Sequence, residues 1–165
     1  MPKIDVTDEG IVDAPPKVVY RAILNELAGV THWWPHTVYK LRGETPIDHE
    51  GAISDATAGN RLVTIRASFK VTKILEDKSI EIEIAGDIEG TGTWIFEPTD
   101  GKTKVKYQFR VRTNSLLFSV LSPFVNLEKG HSAEVQQVLK ELNSYLLKEG
   151  KKELELSLTN QKAVV

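Results

Sequence analysis

The chain has 165 residues, 41% of them hydrophobic and 27% charged, with a formal net charge of −2 and no cysteine. This length favours a single domain that buries about 70% of the surface of its unfolded chain. The charge excludes the strongly basic surface typical of nucleic-acid-binding proteins. The lack of cysteine excludes disulfides, thiolate nucleophiles and cysteine–zinc sites.

The polar composition also bears on where the protein is found. Residues 1–9 are too polar and acidic for a signal peptide. The most apolar segment, residues 116–127, is interrupted by serine, proline and asparagine and is shorter than the roughly 20 residues of a membrane span. We therefore expect a cytoplasmic protein with no integral membrane segment.

The first elements are a strand and helical turns. Residues 3–12 mix apolar and polar side chains as a strand does. The prolines of Pro15–Pro16 favour the start of a helix, which Gly29 closes. A second short helix or turn is predicted over Thr31–Trp34, ended by Pro35.

The middle of the chain predicts an antiparallel meander. Apolar and polar side chains alternate over residues 63–72, 80–84, 89–97 and 104–111, as in strands with one buried face. Residues 99–102 predict a hairpin turn. The outward glutamates of 80–84 are expected to meet the outward lysines of 104–111, directly or through the intervening strand.

A long amphipathic helix is predicted from Ser132 to Glu149, ending at Gly150. Residues 1–150 are then one domain, and residues 151–165 are a loosely attached tail. The apolar residues 114–128 precede the helix without a clear period. They predict either an ordinary helix packed on the core or a lid or rim.

A hollow is expected between the sheet and the long helix. Gly90 and Gly92 share the inner face of their strand with Trp94. Glycine within a strand marks a bend or a close backbone approach and leaves that face unfilled. Apolar cavities of roughly 300–1,000 Å³ are typical ligand sites.

The chain resembles the START-like, helix-grip superfamily, which includes the birch-pollen-allergen proteins and the polyketide cyclase/dehydrase family. The resemblance covers nearly all of residues 3–149 and rests on the closing helix and four segments: Ile11–Tyr20, Trp33–Pro35, Gly92–Pro98 and Gly101–Val105. It implies an α+β fold in which a curved antiparallel sheet of six to seven strands wraps around a long C-terminal helix, with two short helices after the first strand.

The resemblance also implies a hydrophobic pocket whose mouth lies near the short helices and residues 114–128. A membrane or a partner protein could touch this rim transiently. The expected ligand-binding residues are Trp33, Trp34, Tyr39, Phe69, Trp94, Phe96, Tyr107, Phe109, Phe118, Phe124, Val135 and Leu139. The phenols of Tyr39 and Tyr107 either orient the ligand or are buried with a water on the hydroxyl.

The patterns typical of catalytic or metal sites have simpler explanations in this sequence. His32 and His36 have a zinc-enzyme spacing, but Pro35 disturbs the helix that this geometry needs. Ser132 beside His131 is explained as a helix cap. The glycines at 90 and 92 lie in a strand and do not open a helix, so they predict no phosphate loop. We expect no metal, no cofactor and no identifiable catalytic residue.

Three functions stay open. The first is binding, and possible transport, of a small hydrophobic ligand such as a lipid or a polyketide-like molecule. The second is a polyketide cyclase or dehydratase, which the resemblance alone suggests. The third is an interaction module like the START-like activators of the ninety-kilodalton heat-shock chaperone's ATPase. Whether the protein is an enzyme is not decided by its sequence.

Overall fold

A seven-stranded antiparallel sheet packs against one long helix in the computed structural model, which describes residues 3–114 and 126–163. The helices are α1 (Pro16–Leu27) and α2 (Leu127–Ala163). The strands are β1 (Lys3–Val12), β2 (Thr37–Arg42), β3 (Ile53–Gly59), β4 (Thr64–Leu75), β5 (Ser79–Gly86), β6 (Ile88–Thr99) and β7 (Lys102–Thr113). Their order in the sheet is β1-β7-β6-β5-β4-β3-β2. The predicted helix-grip fold is confirmed.

The alternating pattern of the sequence sets the two faces of the sheet. Ile80, Ile82 and Ile84 of β5 are buried, as their spacing predicts. The predicted ion pairs between the glutamates of β5 and the lysines of β7 are wrong, because each group has a different partner. Glu81 faces Lys73 of β4, and Lys106 of β7 pairs with Glu97 of β6. Since β6 separates β5 from β7, each charged side chain pairs with the adjacent strand.

One helix, and not two, follows the first strand. Pro16 occupies the first turn of α1, where a missing N–H is tolerated. Gly29 ends the segment with φ 73°, and a Cβ there would lie 2.4 Å from the Tyr39 carbonyl oxygen. Residues 31–33 are irregular and a turn follows over 34–36, so the second predicted helix is absent from this segment. Pro35 and the positive φ of His36 (58°) are both incompatible with a continuing helix.

Helix α2 is longer than predicted at both ends. Asn126 is its N-cap, since the Asn126 Oδ1 accepts a hydrogen bond from the Lys129 amide at 2.9 Å. Ser132 therefore lies inside the helix, and its predicted capping role is wrong. The helix also continues through Gly150, which destabilises a helix interior by only about 1 kcal/mol. Residues 151–163 are thus helical and exposed; the domain boundary at residue 150 stays a prediction.

Side chains of α2 bond to the free edge of the sheet. Glu128, Gln136 and Asn143, spaced about two turns apart, each form a hydrogen bond with backbone of β1 or the residue after it. Asn143 forms two, because its Oδ1 accepts from the Asp13 amide at 2.8 Å and its Nδ2 donates to the Ile11 carbonyl at 3.1 Å. An unpaired edge strand invites pairing with other chains, and these side chains cover that edge.

We expect the Asn143→Ala variant to lose about 1 to 2 kcal/mol of unfolding free energy, because it removes both hydrogen bonds to this edge. Chemical denaturation followed by circular dichroism measures the loss. Gln137→Ala is the matched control, since the Gln137 side chain bonds to Glu141 of the same helix. Equal stability of the two variants would show that the edge contacts contribute little.

Within residues 3–114 and 126–163, no helix combines the length and the apolar character needed to cross a membrane.

Candidate functional site

A cavity of about 300 Å³ lies between the inner face of the sheet and the first turns of α2. Apolar side chains from β1, β2, β3, β4, β6, β7 and α2 make up most of its described wall. Ala56 of β3 and Ala67 of β4 both line it and lie directly opposite each other in the sheet. Two alanines at a position where larger residues usually meet leave space beside the helix.

Half of the residues predicted from the sequence line this cavity. They are Trp34, Tyr39, Phe69, Tyr107, Phe109 and Val135. Four others lie outside its wall: Trp33, Trp94, Phe96 and Leu139. Phe118 and Phe124 lie outside the residues that the structure describes, as does most of the 114–128 segment.

The four residues outside the wall have packing partners of their own. Trp94 is 1% exposed, and its ring stacks on Tyr107 at 3.9 Å and meets the edge of Trp34 at 5.7 Å. Phe96 contacts Tyr20 of α1, at 5.9 Å between ring centroids. Leu139 packs against Gly10 of β1. Trp94 thus supports two residues of the wall from behind, which a face pattern alone does not reveal.

The glycines of β6 do not create the cavity. A Cβ on Gly90 would lie 2.0 Å from the Arg110 carbonyl oxygen, so the backbone of β7 takes that space. A Cβ on Gly92 would meet Ile82 at 3.0 Å and the Tyr107 hydroxyl at 3.3 Å. The predicted close backbone approach is therefore confirmed at Gly90, whereas side chains of Ile82 and Tyr107 fill the space beside Gly92.

The Trp33–Trp34 pair connects the sheet to α2. The Trp34 ring lies 5.7 Å from Trp94 in the sheet, and the Trp33 ring stacks on Tyr145 of α2 at 6.2 Å. The pair therefore packs on both the sheet and the long helix. Both indoles remain half-buried.

A buried carboxylate fixes the backbone of this pair. Glu26 of α1 is 2% exposed. Its Oε2 accepts hydrogen bonds from the Thr31 hydroxyl (2.8 Å) and the Trp33 amide (3.1 Å), and its Oε1 accepts one from the Trp34 amide (3.0 Å). Through these bonds the last turn of α1 positions one wall of the cavity. Nothing in the spacing of Glu26 on an otherwise apolar helix face predicts this role.

The polar groups of the cavity are few. The phenols of Tyr39 and Tyr107 line it, and burial raises the pKa of both well above the usual value, so both act as neutral hydrogen-bond donors or acceptors. Thr113 contributes a hydroxyl that is buried without a hydrogen-bond partner among the described residues. Loss of hydration raises the pKa of the Glu134 carboxyl, which also lines the cavity, and the charge of His36 opposes that shift.

His131 adds an imidazole to the wall. Its ring stacks on Phe109, with 4.2 Å between centroids and planes 9° apart. Burial lowers the pKa of His131, and nearby Asp8 opposes the shift. The sequence pattern did not single out Asp8. The available signal was its position: an acidic residue at an inward position of β1, between Val6 and Gly10.

The two histidines of the Trp-Trp segment do not line this cavity. His32 and His36 are exposed. In the described part of the chain, no group of three or more histidine, aspartate or glutamate side chains is placed to hold a metal ion.

Comparisons with known proteins agree with the fold. A family model described as polyketide cyclase / dehydrase and lipid transport matches residues 3–146. A search of curated proteins found no match.

Solved structures with this fold carry different descriptions. TTHA0849 from Thermus thermophilus is 20% identical, with a TM-score of 0.71, over 90% of this chain and 99% of its own. The di-domain ARO/CYC StfQ from the steffimycin biosynthetic pathway is 14% identical, with a TM-score of 0.65, over 90% of this chain and 52% of its own. The Aha1 dimer from Colwellia psychrerythraea is 16% identical, with a TM-score of 0.56, over 87% of this chain and 97% of its own.

These likenesses show the fold alone, since proteins with such different descriptions share it. The family match covers the whole sheet and the part of α2 that packs on it. The chain belongs to the polyketide cyclase / dehydrase and lipid transport family.

Proposed function

We propose that this protein binds a small apolar molecule in the cavity between the sheet and α2. The observation that carries the proposal is the apolar wall of a cavity of about 300 Å³, which falls within the range of known ligand sites. The family to which the chain belongs is described by both lipid transport and polyketide cyclisation, and ligand binding is common to the two.

The chemistry of the wall indicates the kind of ligand. Trp34, Tyr39, Phe69 and Phe109 supply aromatic surface, and burying apolar ligand surface against it contributes about 25 cal/mol for each Å² removed from water. The Tyr107 phenol adds a hydrogen-bonding group within this surface. Its place in the cavity lining favours a role in orienting the ligand over that of a hydroxyl buried without function. The ligand is therefore an apolar, ring-containing molecule with few polar atoms.

Titration with the neutral fluorescent probe N-phenyl-1-naphthylamine tests the proposal. We expect one probe to bind per chain with an emission increase, and native mass spectrometry to show the same one-to-one complex. A double variant, Leu154→Gln with Leu158→Gln, is the control, because these leucines are two of the exposed apolar side chains of α2 that a probe could touch outside the cavity. Binding that disappears in the control, or no binding to the wild type, contradicts a cavity site.

Catalysis is a second candidate, favoured by the tyrosine, imidazole and carboxyl groups that line the cavity. A linear poly-β-keto thioester offers a suitable test substrate. Cyclisation faster than in buffer alone, and slower in Tyr107→Phe, would support an enzyme. A rate equal to that of buffer would remove this candidate.

The remaining hypotheses stay predictions. A chaperone-activating role would depend on an outer surface of the protein, and none of the contacts described above bears on it. Cytoplasmic location and a transient contact through residues 114–128 are likewise predictions from the sequence.

A further inference from the structure

A carboxylate lies on the inner face of the edge strand β1. Asp8 is 9% exposed and occupies an inward position in the alternation that buries Val12 of the same strand. In the sheet it lies opposite Tyr107, whose ring lines the cavity. A charged group placed so deeply is stable only with a hydrogen-bonding or charged partner.

The partner that α2 offers is His131. The His131 Nδ1 lies 3.7 Å from the Asp8 Oδ2. Both of these atoms are buried, and neither has a hydrogen-bond partner within residues 3–114 and 126–163. A shift of less than about 1 Å would bring them to hydrogen-bond distance. The stacking of the imidazole on Phe109 holds the ring plane in place, and a shift within that plane keeps the stacking contact.

This pairing determines what the imidazole can do in the cavity. A carboxylate facing Nδ1 favours the tautomer with its proton on Nδ1, which leaves the lone pair of Nε2 as an acceptor and makes it more basic. His131 lines the cavity, so Nε2 is the ring nitrogen that it can present to a ligand.

The other titratable groups around the imidazole are Asp8 on β1, Tyr107 on β7 and Glu134 on α2. Burial lowers the pKa of His131, which keeps the ring neutral near neutral pH. The neutral imidazole and the Glu134 carboxyl line this end of the cavity and present acceptor atoms, while Asp8 lies next to the imidazole and outside the cavity lining. Such a site favours a ligand that donates a hydrogen bond over one that carries negative charge.

We propose that Asp8 and His131 select, among apolar aromatic ligands, those with a phenolic hydroxyl: His131 accepts the hydroxyl hydrogen, and Asp8 is the positioning residue. The inference rests on the proposed function, since it concerns the selectivity of the same cavity. It assigns a binding role to a buried acid that the packing of β1 on α2 does not require.

The test compares 2-naphthol with 2-methylnaphthalene, of similar shape but without the hydroxyl, by displacement of the bound fluorescent probe near neutral pH. We expect the wild type to bind 2-naphthol about tenfold more tightly, as one buried hydrogen bond predicts. His131→Phe keeps an aromatic ring against Phe109 but removes the acceptor, so both ligands should bind equally well. Asp8→Asn should give an intermediate ratio and should have no further effect in the His131→Phe background. His32→Phe, at an exposed position, is the matched control.

The ratio of the two affinities separates selectivity from a structural role. A pair that merely holds α2 on β1 would lower the unfolding midpoint of the variants and leave the ratio unchanged, which would overturn the inference. An equal affinity of the wild type for both ligands would also overturn it while leaving the proposed function in place. Failure of both ligands to bind the wild type would overturn the proposed function, and this inference with it. If His131→Phe does not fold, His131→Leu carries the same expectation.

Discussion

Replacing Ala67 by Phe is expected to weaken ligand binding by at least about a hundredfold, equivalent to about 2.7 kcal/mol of binding free energy. Ala67 lines the cavity and lies opposite Ala56 in the β3–β4 pair, so a larger side chain at this position would extend into the cavity. A phenyl ring there would occupy the volume that the ligand needs. The fold should survive, because filling an apolar void offsets the strain of inserting a larger group.

Probe titration and thermal unfolding together measure this outcome. Ala133→Phe introduces the same ring at an exposed position of α2 and should bind the probe as the wild type does. An Ala67→Phe protein that unfolds at the wild-type temperature yet still binds the probe would place the ligand elsewhere. Loss of both stability and binding would instead mean that the fold does not tolerate a phenyl ring at this position. Ala67→Val, which adds less volume, would then test the same site.

Five strands, β1 and β4 to β7, could be predicted because one face of each is buried, whereas no pattern predicted β2 and β3. Alternation of apolar and polar residues at 63–72 and 80–84 is a local signal, and the structure buries the expected side chains such as Phe69 and Ile82. The ends of α2 could not be predicted in the same way. Its start depends on the Asn126 cap, and its continuation beyond Gly150 overrides the intrinsic cost of glycine in a helix.

The cavity wall was only partly predictable, because inner-face patterns do not say which side chains cover which. Trp94 and Tyr107 share the inner face, yet Trp94 lies behind the phenol and the indole of Trp34. The cavity volume depends on the β3–β4 register, which brings Ala56 opposite Ala67. No local sequence pattern contains this pairing between two strands. Asp8 belongs to the same class, since it meets His131 only when α2 packs on β1. Glu26 bonds to groups five to eight residues further along the chain, which no apolar pattern of the helix reveals.

Glu26 is the buried acid whose loss should destabilise the fold most. Glu26→Ala removes three hydrogen bonds at once and leaves the amides of Trp33 and Trp34 without their acceptor. Since an unsatisfied buried donor costs about 1–3 kcal/mol, we expect unfolding free energy to fall by about 3 to 5 kcal/mol. For a protein of this size that corresponds to a melting temperature lower by about 10 °C.

Glu26→Gln tests whether the carboxylate itself is needed, because it preserves size and shape. One amide oxygen can replace Oε2 and accept from Thr31 and Trp33, but the amide nitrogen then faces the N–H of Trp34, donor against donor. We expect a loss of about 2 kcal/mol, between the wild type and Glu26→Ala. Glu153→Gln, at an exposed position of α2, should change stability by less than about 0.5 kcal/mol. Should Glu26→Gln match that control, the Trp33–Trp34 pair would be held by its ring contacts with Trp94 and Tyr145, and not by the carboxylate.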